Sequence, residues 1–408
     1  MSLLLGIARM TSFRELLAIP AQRRLLLAAL PADFADWLDY VAIIALIVYV
    51  WGHGPLPLAF LALAFTLPYV LIGPLLAAWV DRTDLRSVLL LSNLGRAVMT
   101  FALVVVPNVE VLLVVILCRA TVDSVFTPGR QATLQLITPE PLLMAANGLH
   151  QGINQISKII GPALGGLLVA LMPVQGVFAI NGALSLLAFI VLLGIRLPPR
   201  QPDRREHENV VARLTGGFSE FLGNPKLLTV LIFAAAANFT FFLYDTQIAL
   251  LTAGFGYDAG AFGLTVTASG LGGLLAAFIA GAAQPRRPLA MMALPAVLSG
   301  PAAIAIALAA IYGVQLPFLA FCLAMALMGG STVFMLVPYR SVLQREAPPD
   351  RIARVTAAGE AVMIGAMMAA PFLGSLISAT FGVPAAFLTG GVLLGLLGLI
   401  ALVFAFRR

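Results

Sequence analysis

"NGLHQGINQISKIIGPALGG", residues 147–166, lies inside a long apolar run, yet it carries Asn147, Gln151, Asn154, Gln155 and Lys158 and then a Gly-Pro pair. Asn147, Gln151, Asn154 and Lys158 fall at i, i+4, i+7 and i+11, so a helix gathers them on one face. Hydrocarbon cannot satisfy the hydrogen bonds of such a stripe, which must therefore face protein or water. A charge at the bilayer centre costs at least about 2.5–3.5 kcal/mol on insertion scales. The stretch reads as one wall of a polar interior in a membrane-embedded bundle. Its glycine-rich end has a different job. Gly161, Gly165 and Gly166 let a neighbouring helix approach closely, and Pro162 removes a backbone hydrogen bond and bends the span. A close-packed, kinked outer half would seal one side of a central cavity.

Composition supports the embedding. Of 408 residues, 61% are hydrophobic and only 10% charged, more apolar surface than a soluble domain of this length can conceal. Apolar runs long enough to cross about 30 Å of hydrocarbon recur along the chain. Twelve helices are predicted, near residues 24–51, 56–80, 87–106, 110–132, 143–171, 175–196, 226–253, 258–283, 288–312, 315–342, 352–379 and 383–406. The charges test that number. Basic residues cluster before the first span, in every second loop (Arg82 and Arg86; Arg130; Arg196 to Lys226; Arg286 and Arg287; Arg340 to Arg354) and at Arg407 and Arg408. The opposite loops hold no Lys or Arg. This alternation places both termini in the cytoplasm, with a bacterial inner membrane as the expected location. It also accounts for the basic balance without nucleic acid. Residues 1–23 read as a cytoplasmic segment with an interfacial helix ending near Pro20, not as a cleaved leader.

Residues 196–217 form the only long polar segment, and 197–225 read as a cytoplasmic linker between six-helix halves at 24–196 and 226–408. The halves resemble each other at an offset of 209 residues: Leu134-Gln135 matches Leu343-Gln344, Pro139 matches Pro348, Pro162 matches Pro371, Gly165 matches Gly374, and Phe178 matches Phe387. Same-direction halves imply two bundles related by an axis along the membrane normal. The fold class is thus an all-α membrane protein of two pseudo-symmetric six-helix bundles.

The loop "WVDRTDLRSVL" (79–89) resembles the signature between spans two and three of the major facilitator superfamily, with Asp81, Arg82 and Arg86 in place and with Ala77 and Asp84 where many members have glycine. "FTPGRQATLQLITPEPLLMAANGL" (126–149) is similar to its macrolide-efflux and siderophore-exporter branch, and Gly152 followed by "GPALGG" (161–166) is similar to the span-five motif associated with antiporters that export. The resemblance covers essentially the whole chain. It implies a proton-coupled antiporter that exports a drug, a siderophore or a similar small molecule by alternating access. It also implies a charge latch at Asp81, Arg82 and Arg86 and a coupling role for Arg119.

The membrane-embedded charges provide the candidate site. Asp33, Asp36 and Asp39 spread over about 120° of the first span, and Asp36 lies about 18 Å from Arg24, near the midplane. Like charges in a dry site cannot all stay ionised, so at least one of the three is a proton-carrier candidate. The resemblance implies that it is Asp36, with Asp33 and Asp39 expected to be solvated or to cap neighbours. In span four, Arg119 and Asp123 are spaced to pair, and Arg130 to snorkel. Asp123 and Asp245 complete the proton-coupling set. Arg119, Gln151, Asn154, Lys158, Asn238 and Glu360 are expected to line the substrate cavity. Asp245 and Glu360 are candidate partners for Lys158 or a cationic substrate, and Arg96 is either a cavity charge or a link to another helix. Ionisable groups from both halves are expected to converge on one wet chamber at mid-membrane.

No GxxxxGK[ST] phosphate loop occurs, so ATP is not the evident energy source. Cys118 and Cys322 sit in apolar spans and His53, His150 and His207 are scattered, so no disulfide framework, metal centre or cofactor is expected. No catalytic constellation is visible, which argues against an enzyme. The expected partners are a small-molecule substrate, protons and the bilayer, with a functional monomer. A lysophospholipid flippase or a metal-ion exporter of the same fold are the alternatives.

Overall fold

The computed structural model of the protein describes residues 14–80, 83–198, 210–282, 287–348 and 351–407. Residues 14–18 are helical, and α1 (Pro20–Ala45) starts at a proline whose missing N–H costs nothing in a first turn. It runs into a π turn, Leu46–Val50, and reverses at Gly52, whose φ of 67° suits glycine alone. The second span is broken between α2 (Pro55–Leu71) and α3 (Gly73–Val80). Then follow α4 (Leu85–Ala102), α5 (Val109–Ile137), α6 (Leu143–Leu171) and α7 (Val174–Leu193).

The second half of the expected linker forms α8 (Val210–Gly223), a helix that the polar composition of the segment did not announce. Phe221 drives it: its ring is 1% exposed in a core with Tyr339, Val355 and Ala358. Residues 199–209 lie outside the described residues. Span seven divides into α9 (Pro225–Asp245) and α10 (Ile248–Gly254). The chain ends with α11 (Ala259–Ala282), α12 (Pro288–Ile311), α13 (Phe318–Glu346), α14 (Ile352–Phe381) and α15 (Val383–Arg407).

Among the described residues nine helices are long and apolar enough to cross a membrane. Of 26 and 29 residues, α1 and α5 match them in length. With the broken pair α2–α3 they bring the spans to twelve. The 209-residue repeat is visible in the helix boundaries, since α5, α6 and α7 begin at 109, 143 and 174 and α13, α14 and α15 at 318, 352 and 383.

Two compact units result. One comprises Met1–Ile43 and Ala64–His207, the other Ile44–Leu63 and Glu208–Arg408. In the first, α4 packs on α5 and α7, and α3 on α5. In the second, α12 packs on α15 and α13, α11 on α13, and α9 on α14 and α15. The hairpin at 44–63 joins the second unit through side chains: Tyr49 donates to the Ala249 carbonyl (3.2 Å), Ser375 donates to the Pro55 carbonyl (2.9 Å), and Phe60 meets Phe372 edge to face.

Candidate functional site

In the first unit, α1, α4 and α5 bring seven charged side chains together. Arg96 on α4 is 1% exposed, donates to Asp36 and to the Ala32 carbonyl (3.2 Å), and places Nε 2.9 Å from Asp123 Oδ1. That last approach is not aligned as a hydrogen bond. Arg119 on α5 donates to Asp39 and lies 3.7 Å from Asp36 and 3.8 Å from Asp123. Arg130, about three helical turns further along, donates to Asp33 at 2.9 Å. Between the guanidiniums sits the buried ring of Phe126, 5.5 Å from Arg96 and 5.4 Å from Arg130. Three guanidiniums therefore face four carboxylates, and Asp36 is the most open of the four, with its side chain 35% exposed.

The local sequence explains the convergence. Asn108 caps α5 by accepting from the Val111 amide (2.9 Å). This helps set the helical register that points Arg119 and Asp123, one turn apart, at α1. Thr121, Ser124 and Thr133 return their hydroxyls to carbonyls of the same helix, so these neutral side chains make no demand on the cluster. Buried ions persist in such a medium only when paired and hydrogen-bonded, which these arginines are.

Three expectations change. Asp33 and Asp39 are neither solvated nor caps; they are 2% and 1% exposed and hold Arg130 and Arg119. The directed bond of Arg119 goes to Asp39 on α1, and Asp123 takes the looser contact, because Arg-before-Asp at i, i+4 is the poorer helical arrangement. Arg130 turns inward to Asp33 instead of snorkelling. Arg96, which the sequence left undecided, is the hub. Its one visible signal is a cation in the middle of a span, and Phe126 gave none.

On α6 the polar stripe stays open: Gln151 and Lys158 are exposed and Asn154 is half-buried. The Lys158 ammonium stands over the Trp37 ring of α1 at 5.5 Å. Gly161, Pro162, Gly165 and Gly166 are buried. A Cβ on Gly161 would sit 2.6 Å from Trp37 Cβ, and one on Gly165 would meet the Leu38 carbonyl oxygen. Gly374, the repeat of Gly165, likewise has the Leu243 carbonyl of α9 where a Cβ would go. His150, also on α6, is buried with both ring nitrogens unpartnered, which no sequence pattern signalled.

In the second unit, Asp245 is half-buried at the break between α9 and α10. Asn238 donates to the Met363 carbonyl (3.1 Å), and Glu360 is exposed. Asp81 and Arg82 lie outside the described residues. Arg86 donates to the Leu193 carbonyl at the end of α7 (2.9 Å). Asp84 caps α4, accepting from the Ser87 amide and hydroxyl, each at 2.9 Å. Slight burial pushes its carboxyl up, but those two bonds and nearby Arg86 outweigh it and hold the group below its ordinary value.

The chain matches the Major Facilitator Superfamily model over residues 25–363. It is 28% identical over 379 residues to the uncharacterized MFS-type transporter YfiS of Bacillus subtilis (strain 168), covering 91% of this chain and 90% of that one. It is 25% identical over 346 residues to macrolide efflux protein A of Streptococcus pyogenes, covering 80% and 82%. Its fold is similar to that of a bacterial homologue of the human lysosomal transporter Spinster in an inward-facing, unoccupied conformation (TM-score 0.72, 17% identity, 94% and 96% covered). The nucleoside transporter NupG is also similar (TM-score 0.72, 15% identity, 94% and 98% covered). Twelve helical spans, a paired charge cluster buried within one unit and a family match across most of the length agree: the chain belongs to the Major Facilitator Superfamily and is a multi-pass membrane transporter.

Proposed function

We propose that this transporter exports a small amphipathic or polar molecule in exchange for protons. The observation that supports this most is the set of four carboxylates on three guanidiniums within α1, α4 and α5. The arginines stay charged at any physiological pH. With every acid ionised the cluster carries one uncompensated negative charge, and one proton removes it. Asp36 is the acid we assign to that proton. It is the most open of the four, and it touches both Arg96 and Arg119. Its protonation weakens the hold of both arginines on α1, and a cationic or hydrogen-bonding substrate that displaces the proton restores that charge. Asp245, at a helix break in the second unit, is the second candidate carrier.

The outward direction and the drug-like substrate class are supported by the similarity to macrolide efflux protein A. The cluster acids are occupied by arginines, which favours a proton over a metal ion as the exchanged cation.

Everted vesicles with an acidic interior give the test. A macrolide added outside is expected to be taken up and to release protons from the lumen, and an uncoupler to abolish its uptake. Asp36→Asn is expected to abolish the pH dependence, and Asp245→Asn to reduce it. Unchanged transport and pH dependence in both variants would overturn the coupling assignment, and transport indifferent to an uncoupler would overturn proton antiport itself.

A further inference from the structure

At one end of the first unit, the N-termini of α1 and α4 meet the C-terminus of α7. A cavity of about 520 Å³ opens there, lined by Arg24, Arg86 and residues 193–197, which include Arg196. Arg86 is anchored by its bond to the Leu193 carbonyl, which uses one of five guanidinium donors. Arg24 lies flat over Gly194, where a Cβ would come within 3.1 Å of its guanidinium carbon. A side chain there would push Arg24 away from the recess. Among the described residues no carboxylate pairs with any of the three arginines, in contrast to Arg96, Arg119 and Arg130 in the same unit. Three guanidiniums around one hollow, none of them in an ion pair among the described residues, suit a tetrahedral oxyanion.

The surroundings point to the source of that anion. A second recess of about 480 Å³ shares Arg24 and Arg196 and continues along Ile19, Pro20 and Ala21. The adjoining outer faces of α1 and α7 are apolar and exposed: Leu27 and Leu30 on one, Leu187, Ile190 and Leu193 on the other. A phosphate with a polar end in the first recess and acyl chains along these faces satisfies both halves. A free phosphate uses only the first.

We propose that Arg24, Arg86 and Arg196 bind the phosphate of an anionic membrane lipid, with its chains lying against the apolar faces of α1 and α7. Headgroup capture by basic recesses at helix ends is physically favourable, because each Arg near the surface adds to the attraction and the site opens sideways to lipid. Topology signalling alone accounts for the sign of these residues. It does not account for three of them meeting at one hollow with no ion pair among the described residues.

The full chain, purified and placed in phosphatidylcholine nanodiscs with or without phosphatidylglycerol, is examined by native mass spectrometry and thermal unfolding. The wild type is expected to retain phosphatidylglycerol in preference to phosphatidylcholine and to melt higher with it. R24Q/R196Q is expected to lose that retention about tenfold, the effect of removing charge-assisted hydrogen bonds. R287Q, with its guanidinium over Phe406 in the second unit, removes one charge elsewhere, as each single variant does, and is expected to behave as wild type. Should R24Q/R196Q not fold, R24Q and R196Q separately are expected to show smaller losses of the same preference. Retention unchanged in the Gln variants, or lost equally in R287Q, overturns the site. Stabilisation by inorganic phosphate in detergent that matches phosphatidylglycerol overturns the lipid as its source.

Discussion

Arg119 of α5 and Asp39 of α1 form a buried, hydrogen-bonded ion pair, with 3% and 1% of each residue exposed. The pair ties the fourth span to the first in a place where neither partner has water as an alternative. Asp39→Ala removes the directed partner of that guanidinium, leaves it the looser contacts with Asp36 and Asp123, and is expected to cost about 1–3 kcal/mol. Thermal unfolding in detergent should show a drop in Tm. D39A/R119L, which removes both charges, should recover much of it by the logic of a double-mutant cycle. A D39A protein as stable as wild type would contradict the pairing.

Arg96 makes its contacts as a planar fork: Asp36 and the Ala32 carbonyl on one side, Asp123 on another, and the Phe126 ring against its face. An ammonium has the charge but not the fork. Arg96→Lys is therefore expected to fold yet transport poorly, and Arg96→Gln to be worse on both counts. Phe126→Leu removes the ring from two guanidiniums and should cost about 1–2 kcal/mol in stability. Wild-type transport by Arg96→Lys would show that charge alone suffices.

Gly165 and Gly374 occupy matching places, each with the carbonyl of a leucine on a neighbouring helix where a Cβ would go. Alanine at either is expected to destabilise by about 1–3 kcal/mol through overpacking. Gly148, on the same helix as Gly165, has no atom within 4 Å of a would-be Cβ. Gly148→Ala should be neutral or stabilising by up to about 1 kcal/mol from helix propensity. The three melting temperatures, measured side by side, separate close approach from helix propensity.

Asp84→Ala removes the cap of α4 and should cost about 1 kcal/mol, with Asp84→Asn close to neutral. The pH dependence follows from the depressed carboxyl. Its contribution is fully present above the ordinary value of 3.8 and is lost as pH falls through the lower folded value. The wild-type minus D84A difference in Tm should thus be flat from neutral pH down to the upper end of that window and shrink only in strong acid. A difference that fades near neutral pH would contradict the capping role.

The sequence by itself determined the spans, the repeat and the presence of intramembrane charge. Hydrocarbon admits only internally bonded helices, so twelve apolar segments and an alternating Arg pattern leave little choice, and Pro162 with Pro371 marks the repeat without any coordinates. Asp36, Arg119 and Asp123 were legible because a charge inside a span is costly and needs a reason. Partner choice was not. Which of three acids on α1 meets which arginine depends on the rotation of α1 against α4 and α5 and on how closely α6 approaches through Gly161 and Gly165. Helical periodicity gives a face on one helix but not the face opposite. The tertiary structure alone assigned Asp39 to Arg119, Asp33 to Arg130 and the hub to Arg96, because pairing of buried ions is decided by distances of a few ångströms between segments sixty to a hundred residues apart.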